Sequence, residues 1–141
     1  MDKTNKKAHE FHQVELLHDI AMVITESLDF RQTLESILHL LEIHAEMKRG
    51  MITILDPADE LIKVTVAHGI TESAKQKGVY KIGEGIIGRV VATGKSIVVP
   101  DISRDDRFLN RTGSRSLVGA QNQSFICVPI KMNKETVGAL S

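Results

Sequence analysis

The sequence predicts an α+β domain built on an antiparallel β-sheet of about six strands. Three observations lead there. The chain opens with two helical stretches and continues with short apolar runs, in the order α-α-β-β-α-β-α-β-loop-β-β. Residues 51–55 (MITIL) and 61–67 (LIKVTVA) flank Asp56-Pro57-Ala58-Asp59, the pattern of an antiparallel hairpin with a short loop. The helix between the two central strands covers only residues 86–93. A crossover between parallel neighbours usually takes about a dozen residues or more, so a doubly wound parallel sheet is disfavoured.

Each element has a local cause. Residues 8–28 read as a helix in which Val14, Leu17, Ala21, Ile24 and Leu28 recur at heptad spacing. Leu16, Ile20 and Val23 add a second apolar strip beside that seam. One helix with two apolar faces can pack on its own domain and on a second copy, so residues 1–28 are expected to dimerise the protein. Asp29 is placed to cap a second helix, with Gln32 at the capping-box position. Leu34, Ile37, Leu38, Leu41 and Ala45 form its buried stripe, and Lys48-Arg49-Gly50 is expected to end it. Thr71 to Lys77 reads as a short helix closed by Gly78. FICVPIK (125–131) and TVGALS (136–141) are the last two strands, joined by Asn133-Lys134. The final run reaches Ser141 without a stop signal, which suggests a longer protein cut in or just after a strand.

The stretch YKIGEGIIGRVVATGKSIVVPDISRDDRF (80–108) imitates two nucleotide sites. Gly83, Gly85 and Gly88 spell the dinucleotide G-x-G-x-x-G, but the helix stops after about two turns and no second strand–helix–strand unit follows. Ala92-Thr93-Gly94-Lys95-Ser96 lacks the first glycine of a phosphate loop, because Arg89 occupies that place. Its direction is also reversed, from helix to strand. Gly94 reads instead as the left-handed residue after a helix C-terminus.

Charge and composition narrow the class. Lys plus Arg and Asp plus Glu are both 18, so no net field draws in nucleic acid or an anionic membrane. No apolar run has membrane-spanning length, and the polar N-terminus MDKTNKKAHE is unlike a secretory signal. One cysteine fits a reducing compartment, and a cytoplasmic location is expected. No catalytic motif, cofactor site or metal site is expected. Cys127 lies mid-strand and reads as a small core residue, in preference to a redox sensor or, with Asp101 and Asp105, an iron ligand.

The central stretch, the VPI strand and the V-G-A-L end together resemble a GAF domain. The resemblance runs from about Leu16 to Ser141, and it implies a GAF-like sheet with helices on both faces. The two N-terminal helices are then expected on one face and the helix of residues 86–93 on the other. FLNRT (108–112) and SFICVPIK (124–131) are similar to the N-terminal GAF domain of NifA-type activators of nitrogen-fixation genes. In that family the domain precedes an ATPase that acts on the nitrogen-type sigma factor and a helix-turn-helix domain, neither of which lies in these residues.

The loop from Asp101 to Gln123 carries Arg104, Arg107, Arg111 and Arg115, four of the chain's seven arginines. Arginine suits bidentate carboxylate recognition, and loops this long are commonly functional or disordered. In GAF folds the equivalent segment lies over a ligand cavity. The resemblance therefore implies a small anion such as 2-oxoglutarate, with these four arginines, Asp101 and Tyr80 as the candidate ligand-binding residues. The competing reading pairs the arginines with Asp101, Asp105 and Asp106 or leaves them in water. A second class of function also stays open: a protein-interaction and dimerisation module without a small ligand, regulated by a signal protein such as NifL or a PII-type protein.

Overall fold

Alternation along the strands decides which residues meet. In the computed structural model, which describes residues 3–26, 29–113 and 123–141, β1 (Gly50–Asp56) places Met51 in one apolar cluster and the next residue, Ile52, in the other. Successive side chains of a strand point to opposite faces, so the sheet has a core on each side. The remaining elements are α1 (Lys3–Glu26), α2 (Phe30–Ala45), β2 (Leu61–His68), α3 (Glu72–Gln76), β3 (Val79–Lys81), α4 (Gly85–Thr93), β4 (Ile97–Val99), β5 (Phe125–Met132) and β6 (Glu135–Leu140). A single 3₁₀ turn, Ile102–Arg104, follows β4.

The six strands form one sheet in the order β3-β2-β1-β6-β5-β4, and every neighbouring pair is antiparallel. The strands on either side of α4 therefore lie at opposite edges. This helix carries the chain across the sheet instead of returning it beside its own strand, which removes the geometry a dinucleotide site needs. The antiparallel α+β class expected from the sequence is the observed one.

Turn chemistry agrees with the strand order. In the β1–β2 hairpin, Asp56 Oδ1 accepts the Ala58 N–H at 2.9 Å and Glu60 closes the turn in the left-handed region at φ 57°. Asn133 and Lys134 both have positive φ, 51° and 70°, as a tight two-residue hairpin between β5 and β6 requires. Gly94 caps α4 at φ 64°, with its N–H on the Val90 carbonyl. Gly88 has a different reason: a Cβ there would sit 2.3 Å from the Lys81 carbonyl oxygen, so only glycine lets α4 lie this close to the turn after β3.

One face holds Ile62, Val90 and Cys127, all fully buried, with Tyr80, Ile86, Ile87, Val99, Ile102 and Phe125 around them. α4 covers this side. The other face is smaller, with Leu38 of α2 against Ile52 and Val66. Asp29 caps α2, its Oδ1 accepting the Gln32 N–H at 3.0 Å. α1 makes its main contact with α2, and His44 Nε2 meets Asp19 Oδ2 at 3.2 Å between them. Two expectations need correction. α2 stops at Ala45, with Glu46 left-handed at φ 55°, so Lys48-Arg49-Gly50 leads into β1 and does not form the helix end. α1 starts at Lys3, earlier than residue 8.

Candidate functional site

The long loop is less bare than its composition suggests. Asp101 Oδ1 accepts the Ser103 N–H at 3.0 Å and the Ser103 hydroxyl at 2.6 Å, which shapes the 3₁₀ turn. Ile102 is buried and donates its N–H to the Gln123 carbonyl at 2.9 Å, pinning the two ends of the loop together. Phe108 then packs edge-on against Phe125, with ring centroids 5.1 Å apart. These anchors hold residues 107–112 over the α4 side of the sheet.

A pocket lies beneath that segment. Met51 of β1, Tyr80 of β3, Ile86 and Ile87 of α4 and Phe125 of β5 form its apolar walls, with Ile70, Phe108 and Leu109. Arg49, Arg107, Arg111, Asn110, Thr112 and Ser141 supply polar groups. The cavity measures about 30 Å³, room for about two waters.

The candidate residues divide. Tyr80, Arg107 and Arg111 line the pocket; Asp101 and Arg104 do not. Arg104 points outward, 86 % exposed, with its Nε 3.5 Å from Asp101 Oδ2. Arg115 lies outside the described residues. Arg107 is held by Asp105 through both carboxylate oxygens, with Nε–Oδ1 at 2.8 Å, and this pairing pulls the Asp105 carboxyl down to about 2. Arg111 donates to Glu84 Oε1, and its guanidinium carbon stands 6.0 Å from the Tyr80 ring centre. The Lys81 N–H, and after it Arg111, hold Glu84 below the usual carboxylate range. Glu84 thus ties the turn before α4 to the loop at residue 111. Burial pushes the Tyr80 phenol up to about 12, with Arg111 pulling the other way.

Arg49 and Ser141 were not among the residues expected at a site. Both belong to the pocket through the sheet register. Met51 and Ser141 exchange backbone hydrogen bonds at 2.8 and 2.9 Å, which sets the end of β6 beside the entry of β1. The Ser141 Oγ is buried and has no hydrogen-bond partner among the described residues.

Cys127 is fully buried opposite Ile97 in the β4–β5 ladder, and burial pushes its thiol up to about 12. Such a thiol is neither a good nucleophile nor a ready ligand. Among the described residues no three His, Cys, Asp or Glu side chains gather as a metal site. No helix among them is long and apolar enough to cross a membrane.

On α1, the expected seam faces solvent. Leu17 is 66 % and Ile24 56 % exposed, and Val14 and Ala21 are exposed too. Leu28 lies outside the described residues. Leu16, Ile20 and Val23 are half-buried, and Val23 lines a groove with residues of α2.

A family model described as GAF domain matches residues 29–141. The chain belongs to the GAF family. Among curated proteins, this GAF domain is 43 % identical over 127 residues to the nitrogen fixation protein VnfA of Azotobacter vinelandii, covering 89 % of the chain and 24 % of that protein. It is 36 % identical to the nitrogen fixation protein AnfA of the same organism, with the same coverage. It is 34 % identical to the Nif-specific regulatory protein of Azospirillum brasilense, covering 89 % of the chain and 20 % of that protein. The domain spans about a quarter or less of the length of these relatives. Among solved structures, the GAF domain of A. Aeolicus nlh2 in an inactive state superposes with a TM-score of 0.81 at 21 % identity, covering 94 % of this chain and 78 % of that one. A free methionine-R-sulfoxide reductase from Neisseria meningitidis in complex with its substrate superposes at 0.75 with 17 % identity, covering 94 % and 72 %. These two likenesses establish the fold alone.

Proposed function

We propose that this GAF domain is the regulatory part of a cytoplasmic, NifA-type activator of nitrogen-fixation genes. It senses a small carboxylate such as 2-oxoglutarate in the pocket under residues 107–112, and it pairs with a second copy through α1. The domain itself catalyses nothing; ATP hydrolysis, contact with the nitrogen-type sigma factor and DNA binding belong to other parts of the full-length protein. The observation that carries the proposal is the pocket: apolar walls with Arg49, Arg107 and Arg111, and no Asp or Glu among the described residues that line it. Shared sequence with regulators of nitrogen fixation supports the biological setting.

In this proposal Tyr80, Arg107 and Arg111 face the ligand directly. Asp101 and Arg104 hold the first turn of the loop, and Arg115, outside the described residues, is proposed as a further ligand contact. A five-carbon dicarboxylate exceeds the present cavity, so the loop has to lift to admit it. Ligand entry therefore strains the Glu84–Arg111 tie, and that coupling is the signal sent through α4.

One observation favours a second reading. Arg107 and Arg111 are already neutralised by Asp105 and Glu84. In that reading the domain is an interaction module controlled by a signal protein such as NifL or a PII-type protein. Thermal melting and calorimetric titration with 2-oxoglutarate separate the two. Saturable binding with a concentration-dependent rise in the melting temperature is the expected result. No binding at millimolar 2-oxoglutarate puts the partner-regulated reading ahead.

A further inference from the structure

We propose that Arg49, which lies outside the arginine-rich loop, is the anchor for the ligand's carboxylate. The proposal rests on the sensing role given above and assigns the residue that supplies its anion contact. Three arginines line the pocket, and two are committed. Arg107 is bound by both oxygens of Asp105, and Arg111 donates to Glu84. Arg49 alone among these three makes no hydrogen bond or ion pair within the described residues, although it is half-buried. A partly buried arginine without a carboxylate partner keeps its planar fork of donors open for an incoming anion.

A second, independent group sits in the same part of the pocket. Ser141 is the backbone partner of Met51, two residues beyond Arg49, and its buried hydroxyl has no hydrogen-bond partner among the described residues. An unsatisfied buried hydroxyl is costly. A carboxylate here accepts from the Arg49 fork with one or both oxygens and from the Ser141 hydroxyl, so both open donors are satisfied together. Met51, Ile70, Ile86 and Phe125 are apolar members of the same lining, which suits a short carbon body. The chemical class is thus a small organic carboxylate held by one end. A distal carboxylate has to compete with Glu84 or Asp105 for its arginine, so it adds little.

The test is calorimetric titration of 2-oxoglutarate and of 2-oxopentanoate, which lacks the distal carboxylate, into the unmodified domain and into Arg49→Gln, Arg49→Lys, Arg107→Gln and Arg111→Gln. Circular dichroism of each variant confirms that it is folded. The expected result is that both acids bind the unmodified domain within about tenfold of each other. Arg49→Gln weakens both by about tenfold or more, the scale of one lost charge-assisted contact. Arg49→Lys recovers only part, because the planar fork is gone. Arg107→Gln and Arg111→Gln weaken binding less than Arg49→Gln does, because their guanidinium groups are already shared with Asp105 and Glu84. If the unmodified domain binds and Arg49→Gln binds equally well, or if Arg111→Gln loses as much as Arg49→Gln, the assignment is overturned while sensing by the pocket stands. If neither acid binds at millimolar concentration, carboxylate sensing itself is overturned, and Arg49 with it.

Discussion

Asp105 shows how a single short contact shapes the loop. Its carboxylate holds Arg107 by both oxygens and also accepts the Arg107 N–H at 3.0 Å. Mainly through the Arg107 contact, its pKa falls to about 2, against about 3.9 for an unperturbed aspartate. The sign follows: a depressed carboxylate contributes stability that is fully present above pH of about 4 and lost as the pH falls toward about 2. The pair is partly exposed, so the effect is modest. Thermal melting of the unmodified domain and of Asp105→Asn across pH 7 to 2 checks this. Their midpoints are expected to differ at neutral pH and to converge in acid; a difference that stays constant to pH 2 contradicts the pairing. At this scale the loop was only half legible. Asp105 is two residues from Arg107, so the pairing could be weighed from the sequence. Glu84 is 27 residues from Arg111, and no local pattern connects them. Arg49 was invisible as a site residue for the same reason: it reaches the pocket through the pairing of the first central strand with the last.

Among the elements, α1 carries the most testable consequence. Its apolar residues form two strips. One is half-buried and includes the groove residue Val23; the other, Val14, Leu17, Ala21 and Ile24, is exposed and extended toward the N-terminus by Phe11, which is 70 % exposed. A heptad seam left in water on a 24-residue helix is what a parallel helix pair would bury. Leu17→Glu and Ile24→Glu are expected to convert a dimer to a monomer in light scattering with little change in the melting of the monomeric fold, since neither side chain sits in the core. A monomeric unmodified chain at all concentrations would remove α1 as a dimerisation element. Helix ends were well marked in the sequence where a side chain or a glycine makes the cap: Asp29 and Gly94 act as read, whereas Thr71, expected as the first residue of α3, is its N-cap. The end of α2 was misread because Glu46, without the freedom of glycine, takes the left-handed position itself. The 3₁₀ turn at residues 102–104 was hidden in a polar stretch because its anchor is one buried isoleucine.

For the molecule as a whole, the antiparallel arrangement was legible because α4 is too short to return the chain beside its own strand, and six apolar runs with turn residues between them leave few other sheets. The strand order was not legible from local pattern. Pairing of β1 with β6 joins residues about ninety positions apart, and that one pairing brings Arg49, Met51 and Ser141 to the pocket. The sheet thus gives the domain a core with a small cavity, roofed by a loop that Glu84 ties down through Arg111. The central claim is that this cavity is the sensing site. Titration of 2-oxoglutarate into the isotope-labelled domain, followed by amide chemical shifts, tests it most directly. Saturating shifts are predicted at Gly50, Met51, Tyr80, Ile86 and Phe125, together with loss of the environment shared by Glu84 and Arg111. No shifts at millimolar ligand, or shifts confined to α1, would contradict it.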